Sequence, residues 1–266
     1  MEFTDQLNRT VNLPAPPQRI ISLVPSQTEL LYYLGLGSRI VGVTKFCVHP
    51  AEALKTKSVV GGTKNFWFDV IERLKPDLII GNKEENYEAG IRQLETQYPV
   101  WMSDVTDLTG ALQMLQQIAI ITRTETVGDQ LVAKIRKAFD ALPVFPTKRV
   151  LYLIWYPWMA AGTNTFIHNM LSQLGLMNVV EHSRYPELTD EGIQKLNPEI
   201  IFLSSEPFPF SKIHEARLKK LLPLTRVVPV DGEMFSWYGS RLLLAADYFK
   251  TLYFTIKKMK NSNQQL

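Results

Sequence analysis

The chain has 266 residues, 45% hydrophobic and 21% charged, with a formal net charge of +3. That is the balance of an ordinary globular protein, large enough for one big domain or two small ones. The basic residues are scattered, which argues against a nucleic-acid partner, and the cluster Lys257, Lys258 and Lys260 reads as a solvated helix end. The single cysteine, Cys47, excludes an internal disulfide and a thiolate zinc cluster. No run of about 18 apolar residues is present to span a membrane. Met1 to Asp5 carries acids where a signal peptide carries positive charge, so the sequence as given points to the cytoplasm.

In chain order, a polar lead-in with Pro14, Pro16 and Pro17 precedes a buried strand over Arg19–Val24. Ser26 and Glu29 have the spacing of a capping box at the start of a helix. This strand, tight turn and helix N-terminus is the arrangement that places ligands in open α/β sheets. Gly35 and Gly37 end the helix, and a second strand spans Arg39–Val43. The following loop holds Cys47 and His49, a thiol and an imidazole that invite a metal hypothesis; a metal site needs roughly three or four protein ligands, and no neighbouring residues supply the rest.

Asp69 to Ile80 then reads as a helix with an acid in its first turn, a proline stop, and a buried strand. Glu191 to Phe202 repeats it in the other half, with the acid, leucine, proline and second acid in register. Between the copies the spacing predicts helices around Ala89–Gln97 and over Leu108–Thr122, with a strand over Pro99–Met102. A long helix follows over Glu125–Leu142, where Val127, Leu131, Ile135, Phe139 and Leu142 form one apolar stripe. Pro143 and Pro146 mark a boundary, after which a strand over Arg149–Ile154 and a helix over Phe166–Leu174 restart the programme. Strands alternating with helices predict parallel sheets covered on both faces. The expected fold is therefore α/β, with two similar lobes, each a mainly parallel sheet flanked by helices. One long backbone helix joins them: residues 1–124 form the N-terminal lobe, 125–147 the link and 148–266 the C-terminal lobe.

Two such lobes imply a cleft, and the loops expected to line it are aromatic. Phe46, Phe66, Trp67, Trp155, Tyr156, Trp158, Tyr185, Phe235, Trp237 and Tyr238 fall in turns rather than on apolar stripes. Aromatic loops of this kind suit large, flat or partly apolar ligands, although some of these rings must serve the cores. None of His49, His168, His182 and His214 sits in a catalytic spacing, and no nucleophile-elbow, metalloprotease or phosphate-loop motif occurs. The pattern favours binding over turnover. A cytoplasmic metal-handling protein or enzyme that keeps the same two-lobe fold is the other reading.

The segment Arg19 to Leu31, the strand ending at Val43, the Pro50 loop and the two acid–proline–acid elements resemble the substrate-binding proteins of ABC importers for vitamin B12, haem and iron chelates. The resemblance covers nearly the whole chain and implies the subclass whose lobes are joined by a rigid helix. It implies that Asp69 and Glu191 dock an ABC permease in the membrane, Asp69 being shorter than the usual glutamate. In the cobalamin-binding members, stacking aromatics match Phe46, Tyr185 and a position among Met234, Phe235 and Trp237, while another falls near Thr63, where Phe66 or Trp67 must substitute. The iron-chelate and haem members place arginine, tyrosine or histidine in these loops, for which Arg184, Tyr156 and Arg241 are available. The resemblance thus implies a monomer with no permanent cofactor and a corrinoid or iron chelate as transported ligand. It also implies a periplasmic or cell-envelope location, at odds with the absent signal peptide.

Overall fold

The computed structural model describes residues 1–258; Lys260 lies outside the described residues, and Lys257 and Lys258 occupy a helix end as expected. The chain forms two compact units. The first holds Met1–Val105, Thr109–Lys134 and Tyr238–Arg241; the second holds Thr106–Leu108, Ile135–Trp237 and the chain from Leu242.

The first unit opens with an antiparallel pair, β1 (Glu2–Thr4) and β2 (Thr10–Asn12), where the sequence reads as a polar lead-in. Asp5 explains it: the buried carboxylate accepts the main-chain N–H groups of Leu7, Arg9 and Met102 and hydrogen bonds from the Arg9 guanidinium, so one buried acid holds the turn between strands whose polar side chains stay exposed. Next come β3 (Ile20–Ser22), α1 (Pro25–Tyr33), β4 (Ile40–Val43), the single turn α2 (Ala53–Thr56) and β5 (Ser58–Val59). A small hairpin, β6 (Gly61–Gly62) with β7 (Asn65–Phe66), leads to α3 (Phe68–Leu74), β8 (Leu78–Asn82), α4 (Glu88–Glu95), β9 (Val100–Ser103) and α5 (Leu108–Thr122). The strand order is β5-β4-β3-β8-β9, all parallel. Every residue of β3, β8 and β9 is buried, which is why these strands read as continuous apolar runs. Ile71 of α3 and Ile91 and Leu94 of α4 pack on Ile21, Ile79, Val100 and Met102.

Helix α6 (Glu125–Asp140) carries the chain from the first unit into the second. The second unit contains β10 (Arg149–Trp155), β11 (Met159–Ala160), α7 (Phe166–Gln173), β12 (Met177–Asn178), α8 (Asp190–Leu196) and β13 (Ile200–Ser204). It continues through α9 (Lys212–Leu221), β14 (Arg226–Val230), the short α10 (Glu233–Ser236) and α11 (Leu242–Lys258). Strands β12, β10, β13 and β14 are parallel, and only the short β11 is antiparallel. One face packs Ile193 of α8 and Leu218 of α9 on Leu151, Leu153, Ile201 and Leu203. On the other, Phe235 lies 5.1 Å from Tyr152 and 4.9 Å from Phe249 of α11.

The two units share details that a helix–strand count does not require. Helices α1 and α7 both end on a glycine in the left-handed region, Gly35 at φ 78° and Gly175 at φ 73°. In each, the next residue reaches back into the last turn, Leu36 N to Leu31 O and Leu176 N to Leu171 O, both at 3.0 Å. The repeated acid after the proline is also explained. Asp77 accepts the N–H groups of Gln18 and Arg19, and Glu199 accepts that of Arg149, so each carboxylate fastens the start of the neighbouring strand.

The capping box at Ser26 is not formed. Pro25 starts the helix, Val24 is its N-cap with no side-chain bond, and Ser26 and Glu29 lie inside it. Proline needs no N–H partner and its φ is already helical, so it takes the first position. Glu29 is drawn away instead to Arg241.

Candidate ligand-binding site

In both units the first strand has its successor on one side and a later strand on the other, so the loops leaving the two central strands diverge. Open α/β sheets bind ligands at such a switch point, beyond the carboxyl ends of the strands. In the first unit those ends belong to β3 and β8, flanked by the loop after β4. In the second they belong to β10 and β13.

The loops of the first unit expose Phe46 (49%) and Trp67 (48%). The ammonium of Lys45 lies over the Phe46 ring at 5.0 Å, and Trp67 is the N-cap of α3, just ahead of Asp69. Phe66 is a correction to the aromatic-loop reading: it is buried beside Tyr87, with ring centroids 4.8 Å apart, inside the apolar core. Cys47 is buried, and its sulfur lies 3.1 Å from Thr28 Oγ1 and 3.2 Å from Thr44 Oγ1. Burial pushes its pKa up. His49 is partly buried in the same loop, and among the described residues no group of three or more His, Cys, Asp or Glu side chains could hold a metal ion.

The second unit gathers a larger aromatic cluster. Trp155, 43% exposed at the end of β10, stands 5.5 Å from Phe208 in the loop after β13. Tyr156 stacks on the same ring at 6.1 Å, and Phe210 and His214 close the group at 5.0 and 5.3 Å from Phe208. His214 Nδ1 accepts the N–H of Ser211 at 3.0 Å as part of a capping box. Sequence reasoning missed Phe208, Phe210 and His214. The signal was present, because Ser205 to Phe210 follows β13 as Lys83 to Tyr87 follows β8.

Other expected rings lie inside. Trp158 and Phe235 are buried, Trp158 in the core of the second unit. Trp237 is 8% exposed and donates its indole N–H to Glu206 at 2.9 Å. Tyr238 is 5% exposed, and burial, with Glu85 and Glu84 adding, holds its phenol well above the usual pKa. Tyr185 and Arg184 are half-buried, with Arg184 donating to the carbonyl of Asn164 at 3.0 Å. Arg241, buried, is held by both oxygens of Glu29 at 2.8 and 2.9 Å, a fork-to-carboxylate pair that occupies it structurally. Met234 is half-buried in α10.

The carboxyl ends of β13 and β14 are acidic. Glu206, Asp231 and Glu233 line a cavity of about 600 Å³ with Ser205, Pro229 and Val230. Burial, with Glu233 and Asp231 adding, pushes the Glu206 pKa up, although Ser236 and Trp237 both donate to it.

Asp69 and Glu191 are both exposed in the first turn of their helices. Asp69 pairs with Arg73 at 2.9 Å, one turn along. Helix α8 is capped by the Thr189 hydroxyl, which accepts the N–H of Gly192, and the Glu191 pKa is lowered by its own N–H and by Thr189.

Comparison with known proteins places residues 20–221 within the family described as periplasmic binding protein. A substrate-binding lipoprotein of an ABC transporter from Bacillus subtilis, YvrC, is 28% identical over 74% of this chain and 67% of its own length. A vitamin B12-binding protein from Pectobacterium carotovorum is 26% identical over 87% of each chain. The haem-binding protein RhuT from Roseiflexus superposes with a TM-score of 0.78 over 91% of this chain and 98% of its own at 20% identity, a likeness of fold.

Proposed function

The chain belongs to the periplasmic binding protein family, and from that premise we propose that it is the substrate-binding subunit of an ABC-type importer for a corrinoid or an iron chelate. It is a binding protein and not an enzyme. The observation that carries the ligand class is the aromatic cluster of Trp155, Tyr156 and Phe208 at the carboxyl ends of β10 and β13. One exposed ring, Trp155, beside two half-buried ones at such a position suits a broad, flat ligand, which gains area burial and stacking together. Phe46 and Trp67 add exposed rings in the first unit. Tyr185 and Arg184 are further contacts in this proposal, whereas Phe66, Trp158 and Phe235 support the loops from the core.

The acids favour a corrinoid over haem. Glu206, Asp231 and Glu233 make the carboxyl ends of β13 and β14 acidic, a haem carries two propionates, and like charges at close range cost energy in a site of reduced dielectric. A corrinoid presents amides that can donate to carboxylates. The ligand is cargo, delivered by a monomer to a membrane permease through Asp69 and Glu191. The location is the periplasm or cell envelope, as the lipoprotein and vitamin B12-binding relatives suggest. No helix among the described residues is long and apolar enough to cross a membrane. The family match favours this reading over a cytoplasmic metal-handling role, and the Cys47 thiol, wrapped by two threonines, adds nothing to the latter.

Titration with cyanocobalamin, cobinamide and haemin, followed by tryptophan quenching and visible spectra, tests the proposal. Both corrinoids are expected to bind more tightly than haemin. Absence of binding by all three at tens of micromolar would sink the corrinoid version.

A further inference from the structure

Four side chains in the second unit form an unbroken chain from the aromatic cluster to the first turn of α8. Tyr156 stacks on Phe208 with an interplanar angle of 28°, and its hydroxyl accepts a hydrogen bond from Arg217 Nη1 at 2.9 Å. The other arm of the same guanidinium, Nη2, donates to Asp190 Oδ2 at 2.7 Å. The second oxygen of Asp190 accepts the indole N–H of buried Trp158 at 2.5 Å. Arg217 also lies 5.5 Å from the Trp158 ring centroid. These residues, with Pro157, Leu188, Thr189 and Glu191, enclose a cavity of about 270 Å³. Asp190 is the first residue of α8, and Glu191 is the second.

An ion pair as exposed as this one contributes little to stability, so folding energy alone gives no reason for the arrangement. Its geometry is that of a two-armed connector. A guanidinium offers donors in a rigid planar fork, and here one arm goes to the loop after β10 and the other to the helix that carries the acid. The first unit is built differently: Asp69 pairs with Arg73 of its own helix, a contact that reaches no loop.

We infer that Arg217 is a positioning residue that transmits occupation of the Tyr156–Phe208 face to the N-terminal turn of α8, so that Glu191 is presented in a loaded-state geometry in the second unit. The inference rests on the binding-protein reading. A ligand that stacks beside Tyr156 fixes its ring, the ring fixes the guanidinium, and the guanidinium holds Asp190 and the start of the helix. The coupling is a difference in order between two states, which needs no large displacement.

Hydrogen exchange of the backbone amides of α8, read by mass spectrometry with and without the tighter-binding of cyanocobalamin and haemin, tests it in wild type, Arg217→Ala and Arg217→Lys. In wild type, ligand is expected to slow exchange in the first turn by about threefold or more. Both variants are expected to lose that slowing while keeping ligand affinity within about threefold, because a single ammonium cannot span Tyr156 and Asp190. Ligand that binds wild type but leaves α8 exchange unchanged overturns the inference alone. The same slowing in Arg217→Ala, or full rescue by lysine, also overturns it. No binding of either probe to wild type overturns the corrinoid and haem forms of the importer reading and the inference with them.

Discussion

Arg19 and Arg149 hold the same post in the two units: Arg19 Nη2 donates to the carbonyl of Leu74 and Arg149 Nη2 to that of Leu196, each at 2.6 Å. Arg19 immediately precedes β3 and Arg149 is the first residue of β10, and both carbonyls end the helix of the repeated element. A positive group at a helix carboxyl end satisfies an orphan acceptor and complements the dipole. The repeat seen in the sequence is therefore in large part a structural clamp, with the acid after the proline holding the strand and the arginine holding the helix.

Arg19→Ala and Arg149→Ala are each expected to lower stability by about 1 kcal/mol, the usual net worth of such hydrogen bonds. Urea denaturation of the two variants checks this, and neither should alter cyanocobalamin titration.

Two aromatic substitutions should separate core from site. Phe235→Ala removes a fully buried ring touching Tyr152 and Phe249, for an expected loss of about 3–5 kcal/mol in denaturant unfolding. Phe46→Ala, at an exposed ring, should change stability by less than about 0.5 kcal/mol. If Phe46 stacks on the ligand, the same variant should raise Kd roughly fivefold, equivalent to about 1 kcal/mol.

Glu206 predicts a pH dependence. Its folded-state pKa is raised above the ordinary 4.5, chiefly by burial. Within the window above 4.5 the folded state binds more protons than the unfolded state, so stability falls as pH rises through it. Glu206→Gln keeps an oxygen for Ser236 and Trp237 but removes the charge. Thermal melts across this window should show the variant flatter with pH and more stable than wild type near neutrality; parallel curves would contradict the assignment.

If Asp69 and Glu191 dock a permease, they should act on delivery and not on capture. Asp69→Ala and Glu191→Ala are each expected to leave ligand affinity within about twofold, and to reduce uptake in vesicles carrying the cognate permease and ATPase. Glu191→Ala should have the larger effect, because Asp69 already shares its charge with Arg73. Weakened ligand binding with normal uptake would reverse the roles.

Most strands and helices were legible along the chain, because Ile20 to Ser22, Leu78 to Asn82 and Ile200 to Ser204 are covered on both faces and consist mainly of apolar residues. The N-terminal strands were not, since Glu2 to Thr4 and Thr10 to Asn12 are polar and depend on a buried aspartate for their pairing. The site was legible as a class of loop and not as a set of rings. Phe46 and Phe66 look alike in sequence, yet one is half-exposed and the other is packed beside Tyr87.

By itself the sequence determined the doubled strand–helix programme, the glycine stops and the two acids, because each depends on residues within a few positions of one another. Tertiary structure alone decided which aromatics face outward, since burial depends on what distant segments bring against a ring. It decided that Arg241 pairs with Glu29, 212 positions away. It also brought Phe208 and Arg217 to the loop after β10, where long-range contacts pair them with Trp155 and Tyr156.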